Sequence, residues 1–91
     1  MNDQMFEIKE AMTEEVQALY EQYEQAQEEE GILHRRAART NDMWDWFEAD
    51  RAYDRLQAVA EQLTEAERIL KSCEEIYERL GNYYSKYEVE D

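Results

Sequence analysis

Proline is absent from this chain of 91 residues, and glycine occurs only twice, at Gly31 and Gly81. Sheet proteins need such turn residues between their strands, so the scarcity excludes a fold built from many short strands. A single cysteine excludes an internal disulfide. No apolar run approaches the roughly 18 residues of a membrane span, and the first residues lack the basic and apolar regions of a signal peptide. We therefore expect one all-α domain in the cytoplasm, without membrane contact.

Histidine is nearly absent as well, because His34 is the only one. Histidine pairs and zinc clusters built from several His and Cys residues are therefore excluded within one chain. Di-iron helical bundles carry Glu-x-x-His on two helices, whereas Glu30 and His34 are four residues apart and occur once. No glycine-rich phosphate loop is present. We predict a protein that is not an enzyme and binds no metal or cofactor, with Cys73 as a small core residue and His34 at the surface.

The second half of the chain carries an unbroken heptad pattern of apolar or small residues. The pattern consists of Ala49, Ala52, Leu56, Val59, Leu63, Ala66, Leu70, Cys73, Tyr77, Leu80, Tyr84 and Tyr87. Spacing of alternately three and four residues predicts one long helix that packs along its length on other helices. The residues that we assign to the core or to an oligomer contact are Leu56, Val59, Leu63, Ile69, Leu70, Ile76, Tyr77 and Leu80.

The first half predicts a second helix that ends at a turn near the middle of the chain. One heptad series there comprises Met5, Met12, Leu19, Ala26 and Leu33. Arg35, Arg36 and Arg39 place cations at a helix C-terminus, and Thr40-Asn41-Asp42 then supplies N-capping side chains. We expect a long antiparallel, coiled-coil-like hairpin with helices over about 3–39 and 43–88 and a turn at about 40–42. Alternatively, Gly31 breaks the first helix and gives three segments.

The apolar stripe of the second helix is wider than one neighbouring helix requires. Trp46, Tyr53 and Ala60 widen it on one side near the turn. Ile69, Ile76 and Tyr83 widen it on the other side further along. A wider stripe is typical of a helix that faces two or more neighbours. We expect a homodimer that forms a multi-helix bundle, or a complex with another protein, unless a broken first helix covers this surface.

Acidic residues outnumber basic ones by 24 to 10, which gives a net charge of −14. In the first helix they form a stripe with three-four spacing, in which Gln17 fills the only gap: Asp3, Glu7, Glu10, Glu14, Glu21, Glu24 and Glu28. The stripe lies about 200° around the helix from the apolar series, with carboxylates about 5 Å apart over about 37 Å. It is either an ordinary solvated face or a binding surface that imitates a nucleic-acid backbone and enters a basic groove on a protein partner. Direct nucleic-acid binding is not expected at this net charge.

Aromatic residues are concentrated at the predicted turn, in Met43-Trp44-Asp45-Trp46-Phe47. We assign Trp44 to partner binding, since such residues often anchor interfaces, and Trp46 to covering the end of the bundle. The turn and the tail resemble small Trp-x-Gly hairpin substrates of type VII secretion, which carry Tyr-x-x-x-Asp/Glu after the second helix. Tyr84–Glu88 and Tyr87–Asp91 match that tail, whereas Trp46 replaces the turn glycine.

These features together predict a small acidic interaction protein that acts as an inhibitor or adaptor on a partner with a basic surface. It is similar in size, charge and lack of catalytic groups to phage-encoded antagonists of host nucleic-acid machinery, such as anti-restriction and anti-CRISPR proteins. That likeness implies action in the host cytoplasm. A secretion-associated hairpin and a structural coiled-coil dimerisation module are the alternatives.

Overall fold

Two long helices pack side by side as an antiparallel hairpin. The computed structural model describes the backbone of residues 2–90 and the side chains of residue 4 and residues 6–82. Helix α1 spans Asn2–Thr40 and helix α2 spans Met43–Glu90, with no strand in the described range. The molecule is a rod of 74 × 14 × 13 Å, about the length of a 48-residue helix at 1.5 Å per residue. The predicted all-α hairpin is confirmed.

Some predicted positions fall outside the described side chains. They are Asp3, Met5, Tyr83 and the two tail motifs, Tyr84–Glu88 and Tyr87–Asp91.

Neither glycine interrupts its helix. Helix α1 continues through Gly31, and α2 continues through Gly81. Neither residue has a positive φ, so both adopt an ordinary helical backbone that any residue accepts. The alternative in which Gly31 splits the first helix into two segments is therefore wrong, and no part of α1 folds back to cover the wide stripe of α2.

The core is a single apolar seam between the helices. Leu63 is buried, with 7% of its surface exposed, among Val16, Leu19 and Ala66. Near the turn the helices meet through small buried residues, Ala37, Ala49 and Ala52. The remaining predicted seam positions of α2 are half-buried: Leu56, Val59, Leu70, Cys73, Tyr77 and Leu80. They stay partly exposed because each helix has only one neighbour to cover it.

Contacts across the hairpin keep one register from the open end to the turn. Rising residue numbers in α1 meet falling numbers in α2, as antiparallel packing requires. The contacts are Lys9 with Tyr77, Tyr20 with Glu67, Glu29 with Arg55, and Arg36 with Glu48. Lys9 lies seven residues before the buried Val16, on the side of α1 that faces α2, and its ammonium lies 5.5 Å from the centre of the Tyr77 ring. The Tyr77 ring stabilises the Lys9 ammonium through a cation–π interaction. The aliphatic part of the Lys9 side chain can then cover the seam.

The turn between the helices is only two residues long. Asn41 has a φ of 51°, and its backbone N–H donates to the carbonyl of Ala37 at 2.7 Å. This is the left-handed helix cap in which one residue past the helix satisfies an exposed carbonyl. Asp42 then caps α2, because its carboxylate accepts a hydrogen bond from the Trp44 backbone N–H at 3.1 Å. The two residues of the observed turn, Asn41 and Asp42, lie within the range of about 40–42 expected from the sequence.

Candidate protein-binding surfaces

The acidic side chains of α1 form a continuous outward surface, which we call the acidic stripe. Its described members are Glu7, Glu10, Glu14, Glu21, Glu24 and Glu28, and all six are exposed. These glutamates lie about half a helical turn around α1 from the buried Val16 and Leu19. They are therefore on the side of α1 that faces away from α2. Helix α2 therefore leaves the whole stripe accessible to a partner.

No described base neutralises the acidic stripe. The acids of α1 that form ion pairs in the described range lie beside the stripe: Glu29 accepts a 2.7 Å bond from Arg55, and Glu30 lies 3.6 Å from His34. Lys9, the sole base among residues 1–30, lies over Tyr77 in the seam. The charge of the stripe is thus balanced only by mobile counterions, which a cationic partner would release on binding.

Tyr20 connects the two helices beside the acidic stripe. A hydrogen bond from its hydroxyl to the Glu67 carboxylate raises the pKa of Tyr20, and repulsion between that carboxylate and the phenolate raises it further. The hydroxyl therefore keeps its proton at neutral pH and remains a donor. Tyr20 lies on the flank of the hairpin, where about half of its surface is exposed.

The turn presents a second exposed surface, the turn patch, formed by Met43, Trp44 and Phe47. Trp44 is 72% exposed and Met43 is more exposed still. The Trp44 ring meets the Phe47 ring edge-on, with centroids 6.2 Å apart. The guanidinium of Arg51 lies 5.8 Å from the centre of the Phe47 ring. Large aromatic side chains in this arrangement have the composition of an interface anchor, as the sequence predicts for Trp44.

Trp46 has a different environment from Trp44. Its indole N–H donates to the side-chain oxygen of Asn41 at 3.0 Å, and its ring meets His34 edge-on with centroids 5.4 Å apart. Trp46 thereby joins the first turn of α2 to the last turns of α1. Trp46 is less exposed than Trp44 and Phe47, and it serves mainly to hold the helix ends together.

A polar network around Arg36 was missed by sequence reasoning. Its guanidinium donates to Glu48 at 2.8 Å and lies 3.7 Å from Asp45. The Thr40 hydroxyl contacts the same Asp45 carboxylate. The acidic residues in the first turns of α2 and the cluster of arginines before the turn were the available signal, but each set was interpreted only as a helix-end charge.

The wide stripe of α2 remains uncovered in the hairpin. Tyr53 on one flank and Ile69 and Ile76 on the other are exposed, while Ala60 is half-buried. A single chain thus leaves large apolar side chains on both flanks, at the positions where the sequence predicts further contacts.

No metal centre stands among the candidate sites of the described residues. No group of three or more His, Cys, Asp or Glu side chains in that part of the chain could hold a metal ion. Neither described helix is both long and apolar enough to cross a membrane. Comparison with known proteins finds no matching family, no matching curated protein and no matching solved structure. The exposed surfaces of the hairpin are therefore the features that bear on function.

Proposed function

We propose that the acidic stripe occupies a basic nucleic-acid-binding site on a protein partner, so that the chain acts as a small non-enzymatic inhibitor or adaptor. The observation that carries this proposal is the exposure of all six described glutamates along one face of an uninterrupted helix. A partner that neutralises them gains the release of their counterions, as it does when it binds a nucleic-acid backbone.

The spacing of the stripe supports this comparison. Outside the gap at Gln17, one carboxylate stands about every 5 Å along the helix axis, whereas a DNA strand carries one phosphate about every 3.4 Å. The stripe is therefore a somewhat weaker line of charge than one strand. Because helix α1 holds the carboxylates in place, they need little ordering on binding, which reduces the entropic cost of the complex.

The competing interpretation is a solvated face that serves only to keep the chain dispersed. Helix α2 has a solvated face of this kind, in which acids and bases are interspersed. Glu65 and Arg68, for example, form an ion pair 3.2 Å apart. On α1, like charges at four-residue spacing destabilise the helix by a few tenths of a kcal/mol each. The acidic stripe, broken only at Gln17, has no such benefit from interspersed bases, which favours a binding role.

The proposed inhibitor resembles phage-encoded antagonists of nucleic-acid machinery in its size, charge and mode of action, and we place its action in the cytoplasm of the host cell. Occupying the groove of a nuclease or DNA-binding protein would block substrate access without any chemistry. The chain itself would not bind nucleic acid, because its net charge of −14 repels phosphate.

Competitive elution tests this function. The chain is immobilised and used to capture proteins from a cell extract at about 0.1 M salt, where the Debye length is about 10 Å. Bound proteins are then eluted with a short DNA duplex. We expect the duplex to release a nucleic-acid-binding protein, because both ligands occupy one groove. Captured proteins that the duplex does not displace would contradict the proposal.

A matched pair of variants assigns the binding to the stripe. The first neutralises Glu14, Glu21 and Glu24 to glutamine. The control neutralises Glu61, Glu74 and Glu78, which are equally exposed on α2 and take part in no described ion pair. Both variants lose three charges and retain good helix formers. Only the first should lose capture, whereas equal loss in both would indicate an effect of net charge alone.

A second candidate function is a secretion-associated hairpin, supported by the exposure of Trp44 at the turn. In that case the turn patch, and not the acidic stripe, would carry partner binding. Trp44→Ala would abolish binding while the Glu14, Glu21 and Glu24 variant retained it. The reverse pattern supports the nucleic-acid-mimicking function.

A further inference from the structure

A groove between the two helices lies on one flank of the hairpin near the turn, and we call it the flank groove. Its floor is the small side chain of Ala49, which is only 3% exposed. Two aromatic rings and two carboxylates stand around this floor. The groove has a volume of about 330 Å³ and is lined by Glu30, His34, Trp46, Ala49, Asp50 and Tyr53. That volume is near the lower limit of ligand sites in proteins, so the groove suits one side chain of a partner.

The two large rings of the flank groove are in line along α2. Trp46 and Tyr53 are seven residues apart, so they share one side of the helix and are separated by about 10 Å along its axis. Trp46 is held in place, since its indole N–H donates to Asn41 at 3.0 Å and its ring meets His34 edge-on. Trp46 is nevertheless 39% exposed and Tyr53 is 50% exposed. The groove therefore presents aromatic surface that needs little ordering when a ligand binds.

The carboxylates of the flank groove have no Arg or Lys beside them in its lining. Glu30 lies 3.6 Å from His34, and Asp50 takes part in no ion pair among the described residues. The opposite flank differs at the same height of the rod, because arginines are mixed with its acids there. The groove on that side is lined by Glu29, Leu33, Glu48, Arg51 and Arg55. The flank groove is thus complementary in charge to a cation.

Two rings elsewhere in the described chain already carry a cation. The Lys9 ammonium lies 5.5 Å from the centre of the Tyr77 ring, and the Arg51 guanidinium lies 5.8 Å from the centre of the Phe47 ring. Within the described range, no cation of the chain lies over the rings of the flank groove. A cation from another molecule would therefore gain both an aromatic surface and two carboxylates in this groove.

We propose that the flank groove binds an arginine side chain of a protein partner. A guanidinium is planar and weakly hydrated, so it stacks on an aromatic ring more readily than the ammonium of lysine does. Its N–H groups donate to Glu30 and Asp50, while its aliphatic stem packs along the second ring. Free arginine is a poorer ligand, because the two acids repel its own carboxylate. An arginine within a polypeptide lacks that carboxylate.

This inference does not depend on the proposed function. The acidic stripe faces away from α2, whereas the flank groove lies between the helices, so each surface can be tested without the other. The two surfaces also differ in selectivity. The stripe attracts cations by charge and should bind lysine and arginine about equally, whereas the rings of the groove should favour the planar guanidinium.

NMR titration of the full chain with a blocked tripeptide tests the site. The probe is acetyl-Gly-Arg-Gly-amide at about 0.15 M salt, where a Debye length of about 8 Å screens remote charges. The indole signal of Trp46 should shift and saturate with a Kd on the order of 1–10 mM. The indole signal of Trp44, on the turn patch, is the internal control and should shift far less. No saturating shift of Trp46, or equal shifts of both indoles, would overturn the proposal.

Three comparison ligands test the chemistry of recognition. The citrulline tripeptide has the shape of the arginine one without its charge, and its Kd should be at least about tenfold higher. The lysine tripeptide and free arginine should each have a Kd at least about threefold higher. An equal Kd for the lysine tripeptide would show attraction by the net charge of −14 alone. Either that result, or an equal Kd for citrulline or free arginine, would overturn the proposal.

Matched variants assign the binding to the flank groove. Asp50→Asn removes a lining carboxylate, and its control Asp54→Asn removes an exposed acid outside the groove. Tyr53→Ser removes a lining ring, and its control Phe47→Ser removes an exposed ring of the turn patch. The two groove variants should each raise the Kd of the arginine tripeptide about three- to fivefold, and the controls less than about twofold. Circular dichroism checks that all four variants are helical. An unchanged Kd in either groove variant, or an equal rise in its control, would overturn the proposal.

Discussion

The indole N–H of Trp46 donates a hydrogen bond of 3.0 Å to the side-chain oxygen of Asn41. Asn41 is also the residue that reverses the chain, with a φ of 51°. One side chain thus permits the left-handed backbone of the turn and holds the first turn of α2 against the end of α1. The two-residue turn therefore depends on Asn41 both for its backbone angle and for its side-chain contact with α2.

Substitutions of Asn41 separate its two roles. Asn41→Ala loses the hydrogen bond and retains a Cβ at a left-handed position, where most L-residues are disfavoured by about 1–2 kcal/mol. Asn41→Gly loses the same hydrogen bond but accepts a positive φ without strain. We expect the alanine variant to have a free energy of unfolding about 1 kcal/mol below that of the glycine variant in urea denaturation. Equal stabilities would contradict the importance of the backbone angle.

Leu63→Ala tests the centre of the seam. Leu63 is buried against Val16, Leu19 and Ala66, so the substitution should lower the free energy of unfolding by about 2–3 kcal/mol, the lower part of the range for a buried leucine. The low value is expected because only one helix covers the site. Ile76→Ala, at an exposed position of the same helix, should cost less than about 1 kcal/mol. Both are measured by urea denaturation at one protein concentration.

Much of the fold could be predicted from the sequence because a heptad seam is a local and repeated signal. The buried residues of α2 are all members of the predicted series, for instance Ala49, Leu63 and Ala66. The turn could be placed because Arg39 favours a helix end and Asp42 a helix start within a few residues. The sequence could not decide whether Gly31 breaks the first helix, because one glycine destabilises a helix by only about 1 kcal/mol. In the structure, packing along the seam outweighs that cost.

The surfaces were less predictable than the seam. The exposure of the acidic stripe follows from helix periodicity, which places Glu14 and Glu21 opposite Leu19. The pairing of Arg36 with Glu48, or of Tyr20 with Glu67, depends on the register between the helices. The register between the helices is set by the two-residue turn and by the close approach of the alanines beside the turn. It cannot be predicted from the composition alone.

Gly31→Ala should stabilise the protein. Gly31 lies within helix α1, and the methyl group of an alanine there would meet only the end of the Arg35 side chain, at 3.7 Å. The gain should be about 0.5–1 kcal/mol, because alanine loses less backbone freedom on folding. A rise in the melting temperature measured by circular dichroism checks this. A lower melting temperature would show that Gly31 has a backbone role that these contacts do not reveal.

The Tyr20–Glu67 contact should give a specific dependence on pH. The pKa of Tyr20 is raised in the folded protein, so the contact's contribution to stability is complete below the unfolded pKa of about 10. As the pH rises through the raised folded pKa, that contribution is lost, because the unfolded state releases the proton first.

NMR titration of the Tyr20 ring carbon measures this pKa directly. Glu67→Gln should move the titration midpoint back toward 10, because the charged acceptor is removed. Glu74→Gln, one heptad further along α2 and also exposed, serves as the control and should change the midpoint less. A midpoint unaffected by Glu67→Gln would show that the hydrogen bond is absent in solution.

The affinity of the acidic stripe for its partner, measured as a function of salt, tests the central claim most directly. Each exposed ion pair contributes at most about 1 kcal/mol, and 1.4 kcal/mol corresponds to a tenfold change in Kd. Replacing Glu14, Glu21 and Glu24 by glutamine should therefore raise the Kd of the partner recovered by DNA elution about 10- to 100-fold at 0.1 M salt, where the Debye length is about 10 Å. It should also flatten the dependence of log Kd on log salt, while the Glu61, Glu74 and Glu78 control stays near wild type. Unchanged affinity and an unchanged salt slope in the stripe variant would contradict the account.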